Sequence, residues 1–132
     1  MTSPKSPERI QLEKLSKLLL NIHKTLMDQQ VQKHETAHGP ISGPNHKLQL
    51  LLNDEEFQWL RALSQKIADI DGITFQKETI KPEQVAQSIQ QILDLFFQDA
   101  SADFSNKYRE HLPTLPRLGE LNNDLKEMLG FQ

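Results

Sequence analysis

Apolar residues recur at three- and four-residue spacing through most of the chain, the period of an amphipathic helix. Leu12, Leu15, Leu19, Ile22 and Leu26 fall on one face of the first such segment, and Leu18 and Leu20 widen that stripe. Ser6 suits its N-cap, Pro7 its first helical position and Glu8 its first turn. The pattern continues less regularly through Met27 and Val31 to Ala37, where Gly39-Pro40 ends it. Unbroken, this helix would have about 30 residues and be roughly 45 Å long at 1.5 Å per residue, long enough for a bend or frayed turn near Gln29-Gln30.

The stretch 48–70 carries the single Trp, and the chain reads as organised around it. After the loop 39–45, with its two Gly-Pro steps, Asn45 can cap a short leucine-rich turn containing Leu48, Leu50, Leu51 and Leu52. Asn53 with Glu56 has capping-box form, and Asp54 is the alternative cap. The spacing then predicts a second helix to about residue 70, with Trp59, Leu60, Leu63, Ile67 and Ile70 on its apolar side and Asp71-Gly72 ending it. Residues 73–81 read as a connector that packs Phe75 inward. Pro82 opens a third helix with Val85, Ile89, Ile92 and Phe96 on one stripe, which Asp99-Ala100-Ser101 breaks. A short helix over 103–112 presents Phe104 and Tyr108 and stops at Pro113. Thr114 can cap the last helix, whose core positions are Leu118, Leu121, Leu125 and Met128 before Gly130. Helices joined by short connections favour antiparallel neighbours. The expected fold is all-α: an antiparallel four-helix bundle with one additional short helix, forming a single domain over 6–132 behind a disordered tip at 1–5.

Composition narrows the function classes. A length of 132 residues suits one modest core, and an apolar share of 36% leaves it lean. The net charge of −3 and the absence of a basic run argue against nucleic acid as partner. With no cysteine, a thiolate metal site and a cysteine nucleophile are excluded. No apolar run approaches the roughly 20 residues that span a bilayer. Residues 1–7 lack a signal-peptide core, so the expected location is cytoplasmic, without membrane association.

His38-Gly39-Pro40, Leu50-Leu51-Leu52-Asn53-Asp54 and Phe57-Gln58-Trp59-Leu60-Arg61 resemble the motifs of a group of small bacterial all-helical proteins. The likeness covers about residues 20–70. It implies a helical fold in a bacterial protein and supplies no catalytic residues.

The strongest chemical pattern is His34-Glu35-Thr36-Ala37-His38, which resembles the His-Glu-x-x-His signature of zinc metallopeptidases. Two His at i, i+4 can bind one Zn²⁺, and the intervening Glu can act as general base toward zinc-bound water. That assigns His34 and His38 as ligands and Glu35 as base, with His46 or a downstream acid as third ligand. Against a peptidase, Gly39-Pro40 stops the helix directly after the second His. Gly43 and His46 also lie two residues too far along for the extended His-x-x-Gly-x-x-His tail, and no strand precedes the motif. Glu35 and His38 also match half of a bundle di-iron motif, but no second Glu-x-x-His exists. His23, with Met27, shares nearly the same helix face and could wall a haem or metal. Arg61 is a candidate for pairing with Glu55, Glu56 or a neighbouring helix. No Gly-rich phosphate loop or nucleophile elbow is present.

The expected function is therefore a non-catalytic binding or regulatory protein acting through protein–protein contact, with another protein or a second copy as partner. The contact surface would include Gly39, Pro40, Gly43, Pro44 and Arg61, and no cofactor is required. The alternative is a Zn-binding protein or zinc-dependent hydrolase centred on His34, Glu35, His38 and His46.

Overall fold

The computed structural model describes residues 5–98 and 103–130. Its elements are α1 (Pro7–His38), α2 (Pro44–Asn53), α3 (Glu55–Gln58), α4 (Arg61–Thr74), α5 (Pro82–Leu93) with a π-helical turn (Asp94–Gln98), α6 (Asp103–His111) and α7 (Pro116–Leu129). The fold is all-helical, with no strand among the described residues. None of its helices is long and apolar enough to cross a membrane. The expected breaks at Asp99-Ala100-Ser101 and the tip at 1–4 lie outside the described residues. Lys5, the last residue of that tip, is described and ion-pairs with Glu13 at 3.0 Å.

α1 runs unbroken for 32 residues, with no frayed turn near Gln29-Gln30. Ser6 Oγ accepts the Arg9 N–H at 3.2 Å and so satisfies one of the orphan donors of the first turn. At the other end Gly39 takes φ 91°, a left-handed conformation costly for other residues, and its N–H donates to the Glu35 carbonyl. Leu12, Leu15, Leu18, Leu19, Ile22 and Leu26 are all buried. The stripe does not stop there. Ile22, Leu26, Gln30 and His34 follow at four-residue spacing and are all buried, so the covered face turns from apolar to polar along the helix.

α4 and α7 pack on α1, with α5 beside them. Arg9 donates to the Gln76 carbonyl, Ser16 to Asp71 Oδ1 and Ser64 Oγ meets His23 Nε2. The α1 numbers rise as the others fall, so α1 and α4 run antiparallel.

The single second helix expected to end at residue 70 is instead two. α3 stops after one turn, Trp59 and Leu60 form a corner, and α4 continues past Asp71-Gly72 to Thr74. The physical reason lies in three side chains. Phe57, Trp59 and Leu60 are 1%, 4% and 1% exposed. On a straight helix Trp59 points about 200° away from Phe57, so one face cannot bury both. The corner lets each reach the core. Trp59 donates its indole N–H to Gln30 Oε1 at 3.2 Å, stacks on His111 at 5.5 Å and meets Phe104 at 5.8 Å. Asp54, rather than Asn53, caps α3, with its Oδ1 accepting the Glu56 N–H. The α2 N-cap is Gly43 in place of Asn45, and the α7 N-cap is Leu115 in place of Thr114, whose hydroxyl donates to the His111 carbonyl.

Other expected core positions are corrected by tertiary packing. Leu20, Leu48 and Met128 are exposed, and Phe75, at 82% exposure, points outward instead of packing down. The π-helical turn brings Phe96 into edge contact with Phe104 and Tyr108, at 5.0 and 4.7 Å between ring centres, which extends the aromatic cluster from Trp59. Tyr108 donates to Asn122 Oδ1 at 2.7 Å, and burial pushes its phenol well above the ordinary tyrosine range.

Phe96→Ala should cost about 3–5 kcal/mol of folding stability through lost transfer energy and the cavity left behind. Leu48→Ala, at an exposed position, should stay within about 0.5 kcal/mol. Urea unfolding of both variants checks the contrast, and comparable losses would contradict the described core.

Candidate metal centre

The polar end of the α1 stripe assembles the one candidate metal cluster among the described residues. His34 and His38 stand one helical turn apart, on the same face, with ring centres 4.7 Å apart. The Trp59 corner carries α3 across this end of α1 and places Glu56 between the two imidazoles. Glu56 Oε2 lies 3.2 Å from His34 Nδ1, and Oε1 lies 3.7 Å from His38 Nε2. One ligand atom from each of the three residues falls within 4.8 Å of the other two.

These spacings suit a metal ion. A tetrahedral Zn²⁺ with bonds of about 2.0–2.1 Å separates its ligand atoms by roughly 3.3 Å; Glu56 Oε2 stands near that distance from His34 Nδ1, while its other oxygen is the one that faces His38, so the three groups would draw closer around an ion. His34 is 8% exposed and rests on Phe57, at 6.0 Å between ring centres, so the core side of the site is walled. His38 and Glu56 are exposed. An ion would enter from solvent and keep an outward-facing position for water or a further ligand.

The remaining residues proposed from sequence go elsewhere. Glu35 Oε2 accepts the Ile41 N–H at 3.3 Å, so its carboxylate braces the Gly-Pro loop. Along α1 it sits about 100° round from His34. His46 lies close, its ring centre 6.5 Å from that of His34, but its Nδ1 accepts the Ser42 N–H at 3.0 Å. Accepting at Nδ1 leaves the ring proton of a neutral imidazole on Nε2, so neither nitrogen offers a lone pair to an ion in this arrangement. Gly39 and Gly43 take φ 91° and 141°, which lets Pro40 and Pro44 follow in a tight connection to α2. Arg61 donates to the Leu52 carbonyl and ties α4 to the end of α2, in place of pairing with Glu55 or Glu56.

His23 is separated from His34 by eleven positions, about 16 Å along the helix, and pairs with Ser64 Oγ at 2.8 Å. Burial lowers its pKa below the ordinary imidazole range. The fifth histidine, His111, is buried. Its Nδ1 is 2.7 Å from the Lys107 carbonyl, and Lys33 Nζ lies 3.0 Å from its Nε2. The acceptor carbonyl places the ring proton on Nδ1 and leaves Nε2 to receive the ammonium.

Sequence reasoning missed Glu56 as a ligand because its position reads as a cap. The available signal was its place in the first turn of a short helix bearing Phe57 and Trp59, residues bound to dock somewhere. Comparison with protein families, curated proteins and solved structures finds no match, so the geometry carries the functional reading.

The lowered pKa of His23 has a defined sign. An imidazole kept neutral in the fold, but free to charge when unfolded, supports stability above about pH 6.5 and loses that contribution as pH falls. Stability measured by urea unfolding should therefore decline from pH 7.5 to pH 5, a window set by that reference value. His23→Gln should make the decline shallower. An unchanged slope would contradict the half-buried, neutral assignment.

Proposed function

We propose that the protein is a non-catalytic metal-binding protein whose His34, His38 and Glu56 hold one divalent transition-metal ion. The observation that carries this is the carboxylate of Glu56 spanning both imidazoles of an i, i+4 pair. The donor set of two nitrogens and one oxygen suits Zn²⁺, which accepts imidazole and carboxylate in tetrahedral geometry. Two neutral imidazoles and one carboxylate around Zn²⁺ leave a net charge of +1 on the site.

The hydrolase reading lacks its base. Glu35 is engaged with the loop backbone, and the single acid of the described cluster, Glu56, would itself be a ligand. A bound ion would instead act as a clamp, joining the end of α1 to α3 and through it to the Trp59 corner. Such a site, walled on one side and open to solvent on the other, suits a regulatory protein whose α1–α3 junction responds to metal. The supporting architecture is an antiparallel bundle of α1, α4, α5 and α7, consistent with the packing of α4, α5 and α7 on α1.

Isothermal titration of untagged protein should find one Zn²⁺ per chain. His34→Ala, His38→Ala and Glu56→Gln should each weaken binding by tenfold or more, in the range lost even for residues that only support a metal site. Glu35→Gln and His46→Ala should bind as the parent does. Absence of binding, or equal sensitivity to His46→Ala and His34→Ala, would overturn the assignment.

A further inference from the structure

The N-terminal half of α1, remote from the metal site, presents a second feature. Ile10, Glu13, Lys17 and Leu20 follow at spacings of three, four and three, and so share one face of the helix. Ile10 and Leu20 are 40% and 49% exposed, whereas the six apolar residues from Leu12 to Leu26 on the covered face of the same helix are buried. Together with Phe75 they line a groove of about 400 Å³ between α1 and the end of α4. Ser16 donates to Asp71 at 2.5 Å in its floor and holds the two helices at fixed separation.

At these four positions the order is apolar, acidic, basic, apolar; Lys14, which also lines the groove, falls opposite the uncharged Ser16 when the strip is reversed about its midpoint. Reversing the direction of the helix gives apolar, basic, acidic, apolar, its electrostatic complement. We propose that this strip is the interface of a homodimer in which α1 of a second copy lies antiparallel across the groove. A two-fold axis midway between Glu13 and Lys17 sets Ile10 of each copy against Leu20 of the other. The same axis sets Glu13 against Lys17 twice, which is the self-complementarity an isologous interface requires. Phe75 from each copy flanks the seam and supplies a rigid aromatic anchor of the kind that dominates such contacts. Glu13 already meets Lys5 of its own chain, but that exposed pair contributes little. A carboxylate retains further acceptor sites for a second ammonium. An unrelated partner needs no mirrored charge order, and it is the mirrored order that selects a second copy.

Sedimentation equilibrium across the micromolar range tests this, with circular dichroism confirming that each variant keeps its helical content. The parent protein should show a monomer–dimer equilibrium. Lys17→Glu and Glu13→Lys should each weaken it by about tenfold or more, because each sets like charges opposite one another twice. An equimolar mixture of the two should form a heterodimer tighter than either homodimer, since both of its charge contacts are then attractive. The double variant E13K/K17E should dimerise as the parent does, and Phe75→Asp should be monomeric. A strictly monomeric parent, a dimer indifferent to both charge reversals, or a mixture no tighter than its components would overturn the proposal. The metal site lies at the opposite end of α1, so loss of Zn²⁺ binding in His34→Ala leaves this outcome unaffected.

Discussion

The seating of Trp59 against α1 and α6 is the contact from which the rest of the site follows. Its indole N–H needs an acceptor once buried, and Gln30 supplies one from the same stripe that lower down carries Leu19, Ile22 and Leu26. Its ring face is covered by His111. With Phe57 and Leu60 buried on either side, the chain must turn between α3 and α4. Because α3 is a single turn capped by Asp54 and anchored by buried Phe57, its backbone is set at both ends, with Glu56 on the side that faces His34 and His38.

The change of character along α1 links packing to chemistry. An apolar stripe carried to the end of the helix would bury a leucine at position 34 and leave nothing to coordinate. Placing Gln30 and His34 there instead costs desolvation that must be offset by hydrogen bonds or ion contacts. Gln30 is satisfied by Trp59, and His34 by Glu56. No buried side-chain polar atom among the described residues lacks a partner. The buried polar groups at this end of α1 are therefore satisfied within the chain itself.

Much of this was legible in the chain. The spacing of Leu12, Leu15, Leu19, Ile22 and Leu26 identifies the core face of α1, and His34 with His38 is visible as an i, i+4 pair. Local periodicity could not show the corner at Trp59, because Trp59, Leu60, Leu63, Ile67 and Ile70 also fit one longer helix. The break arises from Phe57 and Trp59 competing for burial, a tertiary effect. Leu20 and Phe75 read as core by character and lie outside, since only the path of the neighbouring helices decides which side of a stripe is covered. Glu56 escaped for a related reason: a residue twenty-two positions from His34 becomes its neighbour only after the chain folds back.

The most direct test of the central claim is anomalous diffraction at the zinc edge from crystals grown with Zn²⁺. The account predicts a single anomalous peak about 2.0–2.2 Å from ligand atoms of His34, His38 and Glu56, with Trp59 still bonded to Gln30. A peak ligated by His46 or Glu35 in place of Glu56, or no ordered zinc at the end of α1, would contradict it.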